Sequence, residues 1–196
     1  MGASPTTVGL QDQTALAVAS DLVKRLAVVD PDLVEHSFGT ARLASLVAQA
    51  LGFNKAEMVT AYVAGLLHEI GALVVPHEEV RDLCWARASE LLHVQRRMQS
   101  ESVAIVERHP ELATLAPLIG MLYDDVVPVL LAKIVLIADQ FDAFLRPCPS
   151  RPAIEPRVAL DSVGRLVGVR HDPDVFLALR GIVNRELPLP LSRRAG

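Results

Sequence analysis

The octet Ala64-Gly65-Leu66-Leu67-His68-Glu69-Ile70-Gly71 sets an imidazole beside a carboxylate in an otherwise apolar run. Upstream of it, apolar positions recur every three or four residues, the period of an amphipathic helix, and Gly71 offers a place for that helix to stop. His68 and Glu69 are therefore expected near a helix C-terminus. Burying both among aliphatic side chains is costly unless something pairs with them. Two partners meet that need: a divalent metal ion, or a hydrogen-bonded structural arrangement of the two groups.

Working outward, the chain of 196 residues has room for one substantial domain with a real core. Hydrophobic residues make up 51% of it and aromatics only 4%, a balance rich in Ala, Leu and Val that suits closely packed helices better than a twisted sheet. The longest apolar region, Val126 to Ala138, is interrupted by Pro128 and Lys133 and is too short to span a bilayer, so no membrane segment is expected. The first residues lack the basic and apolar regions of a secretory signal. Cys84 and Cys148 are too few for a disulfide framework, and a cytoplasmic protein is expected. A net charge of −4, with only Arg96-Arg97 and Arg193-Arg194 as dense basic groups, argues against an extended nucleic-acid surface.

Periodicity and punctuation predict an all-α chain: an N-terminal arm over 1–11, one helical domain over 12–184 and an extended tail over 185–196. Asp12 is a plausible N-cap for a helix over 13–28, with Leu16, Ala19, Val23 and Leu26 inward. A second helix begins near Pro31 and runs to Leu51-Gly52; a third spans Lys55 to Ile70. Ala72 to Pro76 reads as an extended loop and 77–83 as a short helical turn. Further helices are expected over 85–107, 111–123, 127–144, 157–167 and 173–184, the last capped by Asp172. Inward positions on the 85–107 segment are Leu91, Leu92, Val94, Met98, Ser102 and Ile105. The proline-rich stretch 145–156 is a connector.

Three of these helices carry a polar group on an apolar face. His36 shares a face with Leu43, Val47 and Ala50; His68-Glu69 closes the third helix; Asp139 shares a face with Ala132, Val135, Leu136 and Ala143. Neutral imidazoles and ionised carboxylates together make a mixed N/O set suited to Fe, Mn, Zn or Ni. Asp142, one turn beyond Asp139, is read as exposed or as a local hydrogen-bond partner.

The order His36, His68-Glu69, Asp139 resembles the HD superfamily of metal-dependent phosphohydrolases, defined by a His, a His-Asp pair and a distant Asp. Gly65-Leu66-Leu67-His68-Glu69-Ile70-Gly71 is similar to its Leu-Leu-His-Asp-Ile-Gly segment, and Glu35-His36-Ser37 through Leu51-Gly52 to its first ligand helix. Ile137-Ala138-Asp139-Gln140-Phe141-Asp142-Ala143 is similar to the Val-Ala-Asp-x-Phe-Asp-Ala of the HD-GYP branch, and His171-Asp172-Pro173 to its closing Phe-Asp-Pro. The resemblance covers residues 31–183 and implies an HD-type bundle of seven to eight helices, with His36, His68, Glu69 and Asp139 as the metal ligands.

Departures from the pattern shape the functional expectation. Glu69 replaces the Asp of the pair and is longer by one carbon–carbon bond, about 1.5 Å. Ala72 stands where the family has a lysine, Met98, Leu122 and Tyr123 fall at the branch's further histidines, and the Gly-Tyr-Pro signature is absent. His109-Pro110 is out of register and is not counted as a ligand. The expectation is a degenerate HD-GYP-like regulatory domain, without cyclic di-GMP phosphodiesterase activity; the alternative is a mononuclear metal-dependent phosphohydrolase. The ligand set has room for at most one divalent transition metal, and the regulatory reading needs none. The resemblance further implies a nucleotide or cyclic dinucleotide ligand, a bacterial signalling context and a protein partner within it.

Overall fold

The structure, a computed structural model, describes residues 13–76, 88–147 and 151–186, with side chains from residue 93 onward in the second stretch. The expected arm and tail, the Asp12 cap, the turn at 77–83, Cys84, Trp85, Cys148 and the side chains of Leu91 and Leu92 lie outside it. The described residues form eight α-helices and no strand: α1 (Gln13–Val29), α2 (Pro31–Ala50), α3 (Lys55–Leu67), α4 (Ala88–Glu107), α5 (Ala116–Gly120), α6 (Leu130–Leu145), α7 (Pro156–Gly164) and α8 (Pro173–Glu186). None of them is long and apolar enough to cross a membrane.

Local signals set the helix ends. The Asp30 carboxylate accepts the N–H of Leu33 at 2.9 Å and Pro31 takes the first position of α2, where a missing N–H costs nothing. At the other end Gly52, with φ +80°, lets Phe53 N–H reach Ala48 O at 3.1 Å and Gly52 N–H reach Gln49 O at 3.0 Å, which closes the helix with a left-handed residue. Asn54 and Glu57 open α3 by exchanging side-chain-to-backbone bonds of 3.0 and 2.9 Å. Asp172 accepts the N–H groups of Asp174 and Val175 at the start of α8. The connector after α6 is held by Arg151, whose guanidinium donates to the carbonyls of Ala143, Phe144 and Arg146 and so satisfies the open end of that helix.

Helix α2 lies at the centre, packed against α3 on one side and α6 on the other. Small residues make the α2–α3 approach close: Ala41, Ala44, Ala48, Ala61 and Ala64 are fully buried, and a Cβ on Gly65 would stand 2.9 Å from Ala41 Cα. Larger side chains, among them Leu26, Leu67, Ile70, Leu115, Ile119, Ile134, Phe141 and Leu179, fill the spaces between the remaining helices.

Several expectations are corrected. The third helix ends at Leu67, not Ile70, and the chain after it forms a 3-10 turn over Ile70–Leu73 in place of an extended loop. The segment 111–123 is not one helix but a 3-10 turn, Ala113–Leu115, running into the short α5. The seventh helix stops at Gly164. At the ends of the inward stripes Leu16 is 42% exposed, and Ala50 and Ala143 also face solvent. Gly71 is not a left-handed stop either, because only Gly52 and Gly168 among the described glycines have positive φ. It is required by proximity: a Cβ there would collide with the Met98 carbonyl oxygen and stand 2.8 Å from Ser102 N.

Candidate metal centre

Three elements converge where α2, the end of α3 and α6 meet. The early end of α3 makes His68 its C-cap and leaves Glu69 in the turn before Ile70. Ser102 of α4 holds that turn from behind. Its buried hydroxyl donates to His68 O at 2.9 Å and accepts the Gly71 N–H at 2.9 Å, which fixes both sides of the His68-Glu69 step. The close passage of α4 that excludes a Cβ from Gly71 is what brings this hydroxyl within reach.

The imidazoles are oriented by their outer nitrogens. His68 Nδ1–H donates to Gly65 O at 2.8 Å, and His36 Nδ1–H donates to the Asp142 carboxylate at 2.8 Å. The Nε2 atoms therefore face inward as lone pairs when the rings are neutral. Asp139 Oδ1 lies 3.1 Å from His36 Nε2 and 3.4 Å from His68 Nε2, and Glu69 Oε2 lies 3.6 and 3.8 Å from the same two atoms. One ligating atom each from His36, His68 and Glu69 fall within 4.8 Å of one another. His36, His68 and Asp139 are buried, and Glu69 is half-buried.

With neutral rings this group consists wholly of acceptors, so a cation is needed at its centre. Protons are one answer. Burial alone would lower the His36 pKa, but its hydrogen bonds to Asp139 and Asp142, with the charges of Glu69 and Asp139, raise it from 6.5 to about 10. Burial likewise opposes the charge on His68, and the Glu69 charge and the Asp139 carboxylate outweigh it, so its pKa also rises. Burial resists ionisation of Asp139, yet the two histidines hold it well below the usual carboxylate range. Two buried imidazolium rings with centroids 5.3 Å apart would repel one another. His68 Nε2 and Glu69 Oε2 remain buried without a hydrogen-bond partner. A single divalent ion would satisfy those orphaned atoms together with His36 Nε2 and Asp139 Oδ1, and a donor set of two imidazoles and two carboxylates is of the kind that suits Fe, Mn, Zn or Ni.

Two supports were not read from the sequence. Asp142 is 5% exposed and bonds His36 across helices, contrary to the expectation of an exposed or local role. Arg146 Nε donates to the same carboxylate at 2.6 Å while its other nitrogens reach Glu35 O at 2.6 Å and Glu35 Oε2 at 3.3 Å. The signal was available: a residue three positions after Asp139 shares its helix face. Gly39 completes the arrangement, because a Cβ there would collide with Asp142 Oδ1. The other support is Tyr123, whose hydroxyl donates to Asp139 Oδ2 at 3.3 Å and thereby leaves Oδ1 turned to the imidazoles. Burial, with the Asp139 and Glu69 charges, pushes its phenol pKa well above 10.0. Met98 and Leu122 are buried apolar residues, and His109 takes no part in the group.

Replacing Asp142 by Ala removes the acceptor that fixes the inward-facing tautomer of His36. The expected outcome is metal binding weaker by about 10–100-fold with the helical content retained, as for other outer-sphere carboxylates. Competition with a chromophoric chelator measures it.

The family model described as "HD domain" matches residues 33–143, which contain all four residues of the group. No curated protein matches the sequence. Among solved structures, the HD domain of the L. monocytogenes phosphodiesterase PgpH in complex with cyclic-di-AMP superposes with a TM-score of 0.62 at 12% identity, over 86% of this chain and 98% of that one. A second structure of the PgpH HD domain gives a TM-score of 0.57 at 14% identity, over 84% and 98%.

Proposed function

The chain belongs to the HD domain family, and on that premise we propose that His36, His68, Glu69 and Asp139 hold one divalent metal ion in a phosphohydrolase centre acting on a nucleotide or cyclic dinucleotide. The observation that carries this reading is the convergence of His68 Nε2 and Glu69 Oε2, buried and unpartnered, on the atoms of His36 and Asp139. A group kept only for structure would be expected to satisfy its own members. The cyclic-di-AMP ligand of the PgpH HD domain supports a cyclic dinucleotide as the first substrate to try.

A divalent ion bound there would supply Lewis-acid polarisation of a phosphoryl oxygen and acidify a water molecule. The chain's own residues prepare the site. Asp142 and the Gly65 carbonyl fix the two imidazole tautomers, Tyr123 holds Asp139 with one oxygen inward, and Ser102 fixes the turn that presents His68 and Glu69. Two-metal chemistry is not proposed. Met98 and Leu122 place apolar side chains, and Tyr123 a phenol, at the positions where the HD-GYP branch carries further histidines.

Those same substitutions favour a second reading, a regulatory domain that binds a nucleotide or a signalling partner without turning it over. The discriminating experiment incubates the Mn- or Fe-reconstituted protein with cyclic-di-AMP, cyclic di-GMP, nucleoside monophosphates and a generic phosphodiester. Product formation that is lost in His68→Ala supports the enzyme. Saturable binding of a nucleotide without product supports the regulatory reading and defeats the hydrolytic one.

A further inference from the structure

The two imidazoles of the centre are oriented by different kinds of acceptor. The His68 ring is held by a backbone carbonyl, Gly65 O, three residues back on its own helix, and that acceptor moves only with the helix. The His36 ring is held by a side chain from another helix: Asp142 Oδ2 of α6 lies 2.8 Å from its Nδ1. A carboxylate turns about two side-chain bonds, so it must itself be fixed before it can fix an imidazole. Gly39 makes room for Asp142 Oδ1 beside α2, which admits the carboxylate without gripping it.

Arg146 does grip it. Its Nε donates to Asp142 Oδ2 at 2.6 Å and its Nη2 donates to Glu35 O at 2.6 Å, with Nη1 3.3 Å from the Glu35 carboxylate. Glu35 is the residue immediately before His36. One planar guanidinium therefore holds both the peptide that leads into His36 and the acceptor of the His36 ring, and its rigid fork sets the distance between them. Arg146 is fixed in turn. It is the C-cap of α6, where the backbone becomes extended, and its carbonyl accepts from the Arg151 guanidinium at 3.1 Å while the same guanidinium takes Ala143 O at 2.6 Å. The Arg146 charge also offsets that of Asp142, so the outer carboxylate adds no net charge and the charges of Glu69 and Asp139 match one divalent ion.

We propose that Arg146 is a positioning residue of the metal centre: it clamps Asp142 and the Glu35 carbonyl in one fork, and so keeps the His36 proton on Nδ1 and turns Nε2 to the ion. The inference rests on the metal centre proposed above and assigns how one of its ligands is kept in place.

The test uses zinc, which suits the donor set and is diamagnetic, on the full chain of the wild type, Arg146→Gln and Arg146→Lys. Zinc affinity is measured by competition with a chromophoric chelator, and the protonation of each ring nitrogen by NMR of histidine-labelled protein, with Asp142→Ala identifying the His36 signal. Arg146→Gln is expected to keep its helical content and to bind zinc about tenfold more weakly, no more than Asp142→Ala loses. Its His36 Nδ1–H signal should broaden by exchange with water, while that of His68, held by Gly65 O, stays unchanged. Arg146→Lys keeps the charge without the fork and should lie nearer to Arg146→Gln than to the wild type. Arg146→Gln with wild-type affinity and an unchanged His36 signal overturns the assignment and leaves the metal centre standing. Equal changes in both rings, the mark of a general loosening, also overturn it. If Arg146→Gln does not fold, wild-type behaviour of Arg146→Lys overturns the clamp and selective broadening of His36 in it supports the clamp. A wild-type chain that takes up no zinc overturns the assignment, and one that takes up none of Fe, Mn, Zn or Ni overturns the metal centre as well.

Discussion

Gly71→Ala is expected to destabilise the fold by about 3 kcal/mol or more, a large share of the stability of an ordinary domain. The reason is steric and lies in backbone. A methyl group at this position collides with Met98 O and stands 2.8 Å from Ser102 N, and neither atom can rotate away as a side-chain end would. Relief requires α4 to move off the Ile70–Leu73 turn. That movement also breaks the Ser102 hydroxyl's bonds to Gly71 N–H and His68 O, which leaves three buried polar groups to find new partners. Denaturant unfolding followed by circular dichroism measures the loss. A midpoint within experimental error of the wild type would show that the turn and α4 are not packed as described. Ser102→Ala separates the two contributions, since it removes the hydroxyl and leaves the steric fit intact.

The sequence announced the helices more clearly than it announced their ends. The α1, α2 and α8 boundaries fall close to expectation because Asp30-Pro31, Leu51-Gly52 and Asp172-Pro173 are local chemical signals that operate wherever the chain goes, whereas α6, with no such signal before it, opens at Leu130, three residues after the expected start. The expected end of α3 at Ile70 rests on Gly71 as a place for the helix to stop, whereas its glycine is demanded by a helix arriving from residues 98–102. No local pattern carries that information. In the same way the apolar faces predicted that His36, His68 and Asp139 point inward, and they do. Their outer partners, the Gly65 carbonyl, Asp142 and Tyr123, depend on how helices stack. The family pattern mattered for the opposite reason: it encodes long-range contacts as a fixed order of ligands, so it joined residues that periodicity alone could not.

The second large effect concerns the centre itself. Of the four proposed ligands His68 has the least exposed side chain, and its Nε2 has no hydrogen-bond partner in the fold. His68→Ala removes that atom outright, so the loss of metal should exceed the roughly 10–100-fold expected of an outer-sphere change such as Asp142→Ala. Ion binding must also displace a proton. In the metal-free chain the Asp139 and Asp142 partners and the Glu69 charge lift His36 from 6.5 to about 10 against burial, so near neutral pH that ring holds a proton. A metal ion takes its place on Nε2, so loading releases a proton and affinity rises with pH until His36 titrates at about 10.

Elemental analysis of the protein purified without chelator and reconstituted with Fe, Mn, Zn or Ni tests the central claim most directly, with His68→Ala and Asp139→Ala measured alongside. The expected result is about one ion per wild-type chain and almost none in either variant, with all three equally helical. A wild-type chain that stays metal-free after reconstitution, or variants that keep a full complement, would contradict it.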